Sequence, residues 1–233
     1  MAAPIKVAEN IYRISTIGAY VNTYLFVEPN GDLTLIDAGL KGAPKKILSA
    51  LESLGKKPSD VKRIVLTHAH ADHAGGLARV RGEAGARVMC HTDDAPYARA
   101  GRVPPRDRRN FSAGILDKFA FTTFEPFEVD EEIADDQLLD IAGGLRVIHT
   151  PGHTMGHISL LHERSGVLII GDALFNYAGI SFSMASSCVD VPLSRETAGR
   201  LGELDFEIAG FMHGPEIREH AGKRVREFIA RAQ

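Results

Sequence analysis

Six consecutive residues, His68-Ala69-His70-Ala71-Asp72-His73, place three imidazoles and one carboxylate directly after a short apolar run at positions 63–66. These side chains bind borderline cations and move protons near neutral pH. In an extended segment, residues two apart project to the same side, so His68 and His70 can close on one ion. Asp72 and His73 follow where the chain turns towards a helix; they diverge from the first pair and can reach a second ion nearby.

Three further segments offer the same chemistry. Thr150-Pro151-Gly152-His153-Thr154-Met155-Gly156-His157 also follows an apolar run, and Pro151 and Gly152 make a tight loop that can present His153 at the same rim. Asp172 follows the run Leu168-Ile169-Ile170-Gly171, and His213 precedes Gly214 and Pro215. Each is commonplace alone, and a lone strand-end Asp is usually a cap or turn former. Together they make seven imidazole and carboxylate groups, enough for two ions with a shared carboxylate. One ion would need only three or four. The donor set suits zinc, with iron or manganese compatible.

Positioning such groups requires strands that end at one rim. Alternation and turn chemistry predict strands over 11–14, 23–27 and 33–36, joined in a meander through Pro29-Asn30-Gly31-Asp32. Ile47, Leu48, Leu51 and Leu54 predict a helix over 44–54. A buried strand over 63–66 leads into the histidine cluster, a helix follows from His73 to about Arg81, and another strand covers 87–90. The polar, Pro- and Arg-rich stretch 92–110 reads as an insertion. Phe111, Phe119, Phe121, Phe124 and Phe127 then read as core, with alternation at Phe119, Phe121 and Thr123 suggesting a strand. Further strands are expected at 138–141, 145–149, 158–161 and 167–170, and helices at 194–201 and 217–230. Strands come in runs with helices between the runs. That pattern predicts an α/β (α+β) fold of two sheets packed face to face, helices outside, rather than a doubly wound parallel sheet. The chain is read as one domain, 1–233, with a candidate lid around 92–127.

Composition narrows the function. Of 233 residues, 44% are hydrophobic and 24% charged, as in an ordinary globular protein. A net charge of -3 provides no basic field for a phosphate backbone, so no nucleic-acid partner is expected and a small-molecule substrate is favoured. No segment approaches the length of a membrane span, and the N-terminal MAAPIKVAENIYRIST lacks an export-type apolar run; a cytoplasmic location is expected. Cys90 and Cys188 stand far apart without CxxC spacing and read as small buried hydrophobes. Oligomeric state is not legible.

Taken together, His68, His70, Asp72, His73, His153, Asp172 and His213, in this order and with the strand end Asp37-Ala38-Gly39, resemble the metallo-β-lactamase-fold superfamily. The resemblance implies a four-layer αββα sandwich with its metals at one edge of the sheets. By that resemblance His68, His70 and His153 are ligands of a first metal, Asp72, His73 and His213 of a second, and Asp172 bridges them. The ions are expected to be Zn2+, with Fe or Mn as alternatives. A metal-bound hydroxide is then the nucleophile, and Asp72 is the candidate catalytic residue that orients it or accepts its proton. His157 is expected to be structural or to support a ligand, and His91, His149, His162 and His220 to be structural or superficial. Phe175, Tyr177, Phe182 and Met184 are expected to pack rather than to line the substrate pocket.

The family spans many substrates. Residues 151–161 and Gly171-Asp172-Ala173-Leu174-Phe175 are similar to hydroxyacylglutathione hydrolases, but His213 lies too near the C-terminus for the helical glutathione-binding domain. The absent export signal lowers a β-lactamase, and the lack of a basic arm lowers an RNA-processing phosphodiesterase. The expectation is therefore a dinuclear hydrolase of a small ester, lactone or thioester. A mononuclear iron persulfide dioxygenase using His68, His153 and Asp172 is the main enzymatic alternative; a non-catalytic metal-binding scaffold is the alternative of another class.

Overall fold

The opening meander forms one side of a seven-stranded sheet in the computed structural model of the protein, which describes residues 3–109 and 122–232. Strands β1 (Ile5–Ala8), β2 (Ile11–Ile17), β3 (Val21–Val27) and β4 (Leu33–Ile36) run antiparallel. Strands β5 (Val61–Leu66), β6 (Arg87–His91) and β7 (Glu131–Ile133) then add in parallel, so spatial order equals chain order. The second sheet has the order β14-β11-β10-β9-β8. Its strands are β8 (Leu138–Leu139), β9 (Leu145–His149), β10 (Ile158–His162), β11 (Val167–Ile169) and β14 (Ile208–Gly210). A hairpin, β12 (Leu174–Asn176) and β13 (Ile180–Phe182), stands apart from both.

The central strands are apolar on both faces, as strands covered on both sides must be. Alternate residues therefore serve different cores. Tyr24, Phe26, Ile36 and Val65 meet Val147, Ile158, Leu160 and Ile169 between the sheets. The intervening Leu25, Leu35, Ile64 and Leu66 face outward onto helices α1 (Pro44–Ser53) and α3 (Leu77–Ala84) through Ile47, Leu51, Leu77 and Val80. On the far side Ile148, Leu161, Leu168 and Ile170 pack with Ala198, Val225 and Ile229 of α5 (Val191–Ala198) and α6 (Ala221–Ala232). Each such buried aliphatic side chain contributes on the order of 1.5–3 kcal/mol. The result is the expected layering of helices, sheet, sheet and helices.

Several elements differ from expectation. The helix expected from His73 to Arg81 is broken into α2 (Ala71–Ala74) and α3. Gly75 and Gly76 sit at the break, where a Cβ would meet the Ala71 and Ala38 carbonyl oxygens at 2.3 and 2.4 Å; only glycine lets the backbones approach so closely. The stretch 92–110 is not wholly irregular, because α4 (Ala95–Ala100) buries Ala95 and Ala98. The last helix starts at Ala221, since Ile217 pairs instead with Ala209. Asp190 caps α5 by accepting a hydrogen bond from Leu193 N–H, which starts that helix three residues before position 194. The strand expected through Phe119 and Phe121 lies outside the described residues; Thr123 bridges to Arg102, and Phe127 is buried in the outer core. No helix among the described residues is long and apolar enough to cross a membrane.

Candidate metal centre

The C-terminal end of β5 delivers Thr67 and then His68 to the rim. Asp37, at the end of β4, holds this turn: its carboxylate accepts hydrogen bonds from Thr67 N–H at 2.7 Å and Thr67 Oγ1 at 2.6 Å. It also accepts from His73 Nδ1 at 2.7 Å. Behind this anchor, His68 Nε2 lies 3.1 Å from His70 Nδ1, which lies 3.0 Å from His153 Nε2. Thus three imidazole nitrogens converge on one point, all from buried residues.

A second trio forms alongside. Asp72 Oδ2 is 3.7 Å from His73 Nε2 and 3.4 Å from His213 Nε2. Asp172 stands between the trios. Its Oδ2 lies 3.3 Å from His153 Nε2 and 3.2 Å from His213 Nε2, and its Oδ1 lies 3.4 Å from His73 Nε2. All seven residues singled out in the sequence therefore meet at one rim.

The donor chemistry fits divalent cations. Among the described residues, His73 Nε2 and Asp172 Oδ1 are buried and have no hydrogen-bond partner, a costly state for polar atoms unless a ligand occupies them. Burial pushes the His68 and His153 imidazoles well below their ordinary pKa and His70 to about 4, so these rings are neutral at pH 7 with lone pairs to donate. His73 and His213 behave oppositely. Burial opposes their charge, but Asp172 and Asp72 outweigh it and push them up to about 10 and about 12, with Asp37 adding to the effect at His73. Two carboxylates, the buried Asp172 and the partly exposed Asp72, thus draw positive charge into the site. The fold and these clusters imply divalent metal ions.

Other groups aim these side chains. His157 Nε2 accepts from the Asp172 backbone N–H at 2.7 Å, while its Nδ1 lies 3.1 Å from the Thr150 carbonyl oxygen. Burial pushes this imidazole down to about 3, so it serves as a neutral strut behind Asp172. Tyr177 Oη lies 2.9 Å from His213 Nδ1. Asp94, which sequence reading did not single out, accepts from Ala69 N–H at 2.7 Å, Thr154 Oγ1 at 2.8 Å and Gly156 N–H at 2.8 Å, tying the loop of His68 and His70 to that of His153. A lone Asp within a polar stretch carried no signal of this. Of the remaining histidines, His91 and His149 stack on each other at 4.0 Å, and His162 bonds Ser165 and the Ala142 carbonyl.

A cavity of about 240 Å³ opens beside His70, Asp72, His153, Asp172 and His213. Contrary to expectation, Phe175 and Met184 line it; Phe182 packs instead on Phe228, ring centroids 5.1 Å apart. Arg106, also missed, joins the wall. Cys90 and Cys188 are buried as expected.

Comparison with known proteins agrees with this geometry. The model of the metallo-beta-lactamase superfamily matches residues 17–213. A probable metallo-hydrolase of Bacillus subtilis, YqjP, is 30% identical over 88% of this chain and 71% of its own length. A hydroxyacylglutathione hydrolase of Rhodopseudomonas palustris is 31% identical over 66% of this chain, which spans 48% of that protein. The FEZ-1 metallo-beta-lactamase of Legionella gormanii superposes with a TM-score of 0.75 at 21% identity, covering 99% of this chain and 92% of that one, a likeness of fold.

Proposed function

The chain belongs to the metallo-β-lactamase superfamily, and from that premise we propose that it is a hydrolase that holds two divalent ions, zinc foremost, and cleaves a small ester, lactone or thioester. The observation that carries the reading is the position of Asp172, with carboxylate oxygens within 3.2–3.4 Å of His153, His213 and His73. His68, His70 and His153 would hold one ion, Asp72, His73 and His213 the other, with Asp172 shared. When bound, such ions lower the pKa of coordinated water to about 7 and polarise a carbonyl oxygen.

The chain's own residues do the rest. Asp72 is partly exposed, its side chain at 35%, and lines the pocket, so its carboxylate can orient the attacking water and accept its proton. Asp37 fixes the tautomer of His73, and His157 fixes the backbone of Asp172. Val21, Leu40, Phe175 and Met184 give an apolar wall that receives the acyl portion and thins out bulk water around the reacting carbonyl. The similarity to hydroxyacylglutathione hydrolases supports the thioester branch.

Metal quantification on the purified protein, followed by lactones, aryl esters, thioesters, nitrocefin and bis(p-nitrophenyl) phosphate on the same sample, tests the reading. About two metal ions per chain with ester, lactone or thioester turnover that a chelator removes is the expected result. His70→Ala should abolish turnover with the circular dichroism of the sheets retained. One iron per chain with oxygen consumption on glutathione persulfide, or full activity in His70→Ala, would overturn it.

A further inference from the structure

One cationic side chain in the pocket has no part in the chemistry above. Arg106 is 8% exposed and lines the same cavity as His70, Asp72, His153, Asp172 and His213. Among the described lining residues it is the sole lysine or arginine, set in a wall that otherwise includes Val21, Leu40, Val103, Phe175 and Met184. Its charge is near enough to the ligands to add to burial in holding the His70 imidazole down. A guanidinium keeps its charge at every accessible pH, and its planar fork matches a carboxylate in two parallel hydrogen bonds. With five N–H donors it can serve a protein group and an anion at once. Low local dielectric beside an apolar wall strengthens such a pair relative to one in water.

We propose that Arg106 binds a carboxylate of the substrate, so that the preferred esters, lactones or thioesters of this site carry a negative charge near the scissile carbonyl. The proposal rests on the hydrolase reading for its substrate class and on the placement of Arg106 for its charge preference. It makes Arg106 a specificity residue, with no part in bond cleavage.

Two probes separate charge from everything else: mono-p-nitrophenyl succinate, which carries a free carboxylate, and its methyl ester, which does not. Wild-type protein should prefer the charged probe. Arg106→Gln should lower kcat/KM for that probe about tenfold or more, the scale of one charge-assisted pair, while changing the neutral probe less than about threefold. Arg106→Lys should recover part of the loss, and it also stands in if the Gln variant does not fold. Equal losses on both probes, or no loss on either, at unchanged metal content would overturn the proposal. Calorimetric titration of the metal-loaded proteins with succinate gives an independent reading. If wild type cleaves neither probe, the substrate panel above decides the hydrolase reading, and the titration still decides Arg106: tighter binding to wild type than to Arg106→Gln supports it, and equal affinity refutes it.

Discussion

Asp37 and His73, 36 positions apart in the chain, meet through a carboxylate–imidazole contact of 2.7 Å at the base of the candidate metal centre. The carboxylate can only accept, so the ring carries a proton on Nδ1 and aims its Nε2 at Asp72 and Asp172, where a bound cation would take the place of the Nε2 proton. Asp37 itself adopts a left-handed backbone with φ of 60°, a conformation a non-glycine residue holds only when its surroundings dictate it. Asp37→Ala frees the His73 ring to rotate and change tautomer. Metal affinity should fall about 10- to 100-fold, the usual effect of removing a ligand's hydrogen-bonded support. Competition with a chromophoric chelator measures this, and wild-type affinity for every bound ion would contradict it.

Asp94 does for the loops what Asp37 does for one ring. Its carboxylate collects donors from Ala69, Thr154 and Gly156, so the two segments that carry His68, His70 and His153 share one buried anchor. The fit is close: a Cβ on Gly156 would lie 2.5 Å from Asp94 N and 2.7 Å from its Cβ. Asp94→Ala strands two backbone N–H groups and a hydroxyl, each costing about 1–3 kcal/mol when buried without a partner. The melting temperature should drop by more than about 5 °C and activity should drop with metal occupancy, whereas Asp94→Asn, which keeps one acceptor oxygen, should fall between. Equal melting temperatures for wild type and Asp94→Ala would show that the anchor carries no weight.

Gly171 protects the strut behind Asp172. Its φ is +65°, and an added Cβ would stand 2.4 Å from His157 Nε2, the atom that accepts the Asp172 N–H. Gly171→Ala therefore strains the backbone and displaces His157 together. We expect a loss of at least about 2 kcal/mol in stability by urea unfolding and reduced metal stoichiometry from a misplaced Asp172. A variant with unchanged stoichiometry would show that Asp172 keeps its place without His157.

How much of this was legible in the sequence follows from how each feature is encoded. His68, His70, Asp72 and His73 are dense in one segment, and His153, Asp172 and His213 each follow or precede turn chemistry at a strand end; all seven converge. Long strands such as β3 and β10 announce themselves by apolar runs. Strands β7, β12, β13 and β14 have three residues each, too few to show a period; β7 and β14 form on the edges that β6 and β11 offer, and among the described residues β12 and β13 pair only with each other. Helix α4 buries only Ala95 and Ala98, small residues with a weak apolar signature. Asp94 and Arg106 are single charged residues in a stretch that reads as solvated surface, and only the fold brings them beneath the ligand loops and into the pocket.

Glu216, three residues beyond His213, gives a pH dependence that can be separated from the metal ligands. Its carboxylate meets Arg13 Nε at 2.7 Å and an Arg218 guanidinium nitrogen at 2.6 Å, with the Arg13 and Glu216 side chains each 7% exposed. Burial alone would raise the Glu216 pKa, but hydrogen bonds, Arg13 and Arg218 outweigh it and hold the group below the ordinary value of 4.5. A depressed folded-state pKa means that the native state releases its proton more readily than the unfolded chain. The resulting stabilisation is therefore complete above pH 4.5 and disappears as the pH falls through the lower, folded value. Glu216→Gln lacks that titration and leaves Arg13 without its buried counter-charge. At neutral pH the variant should be less stable by on the order of 2 kcal/mol, and the gap to wild type should close on acidification. Because both proteins share every metal-site histidine and carboxylate, the difference between their melting temperatures, followed from about pH 7 to about pH 3, isolates this one group. A gap that stays constant across that range would mean that Glu216 does not bind its proton differently in the folded and unfolded chains.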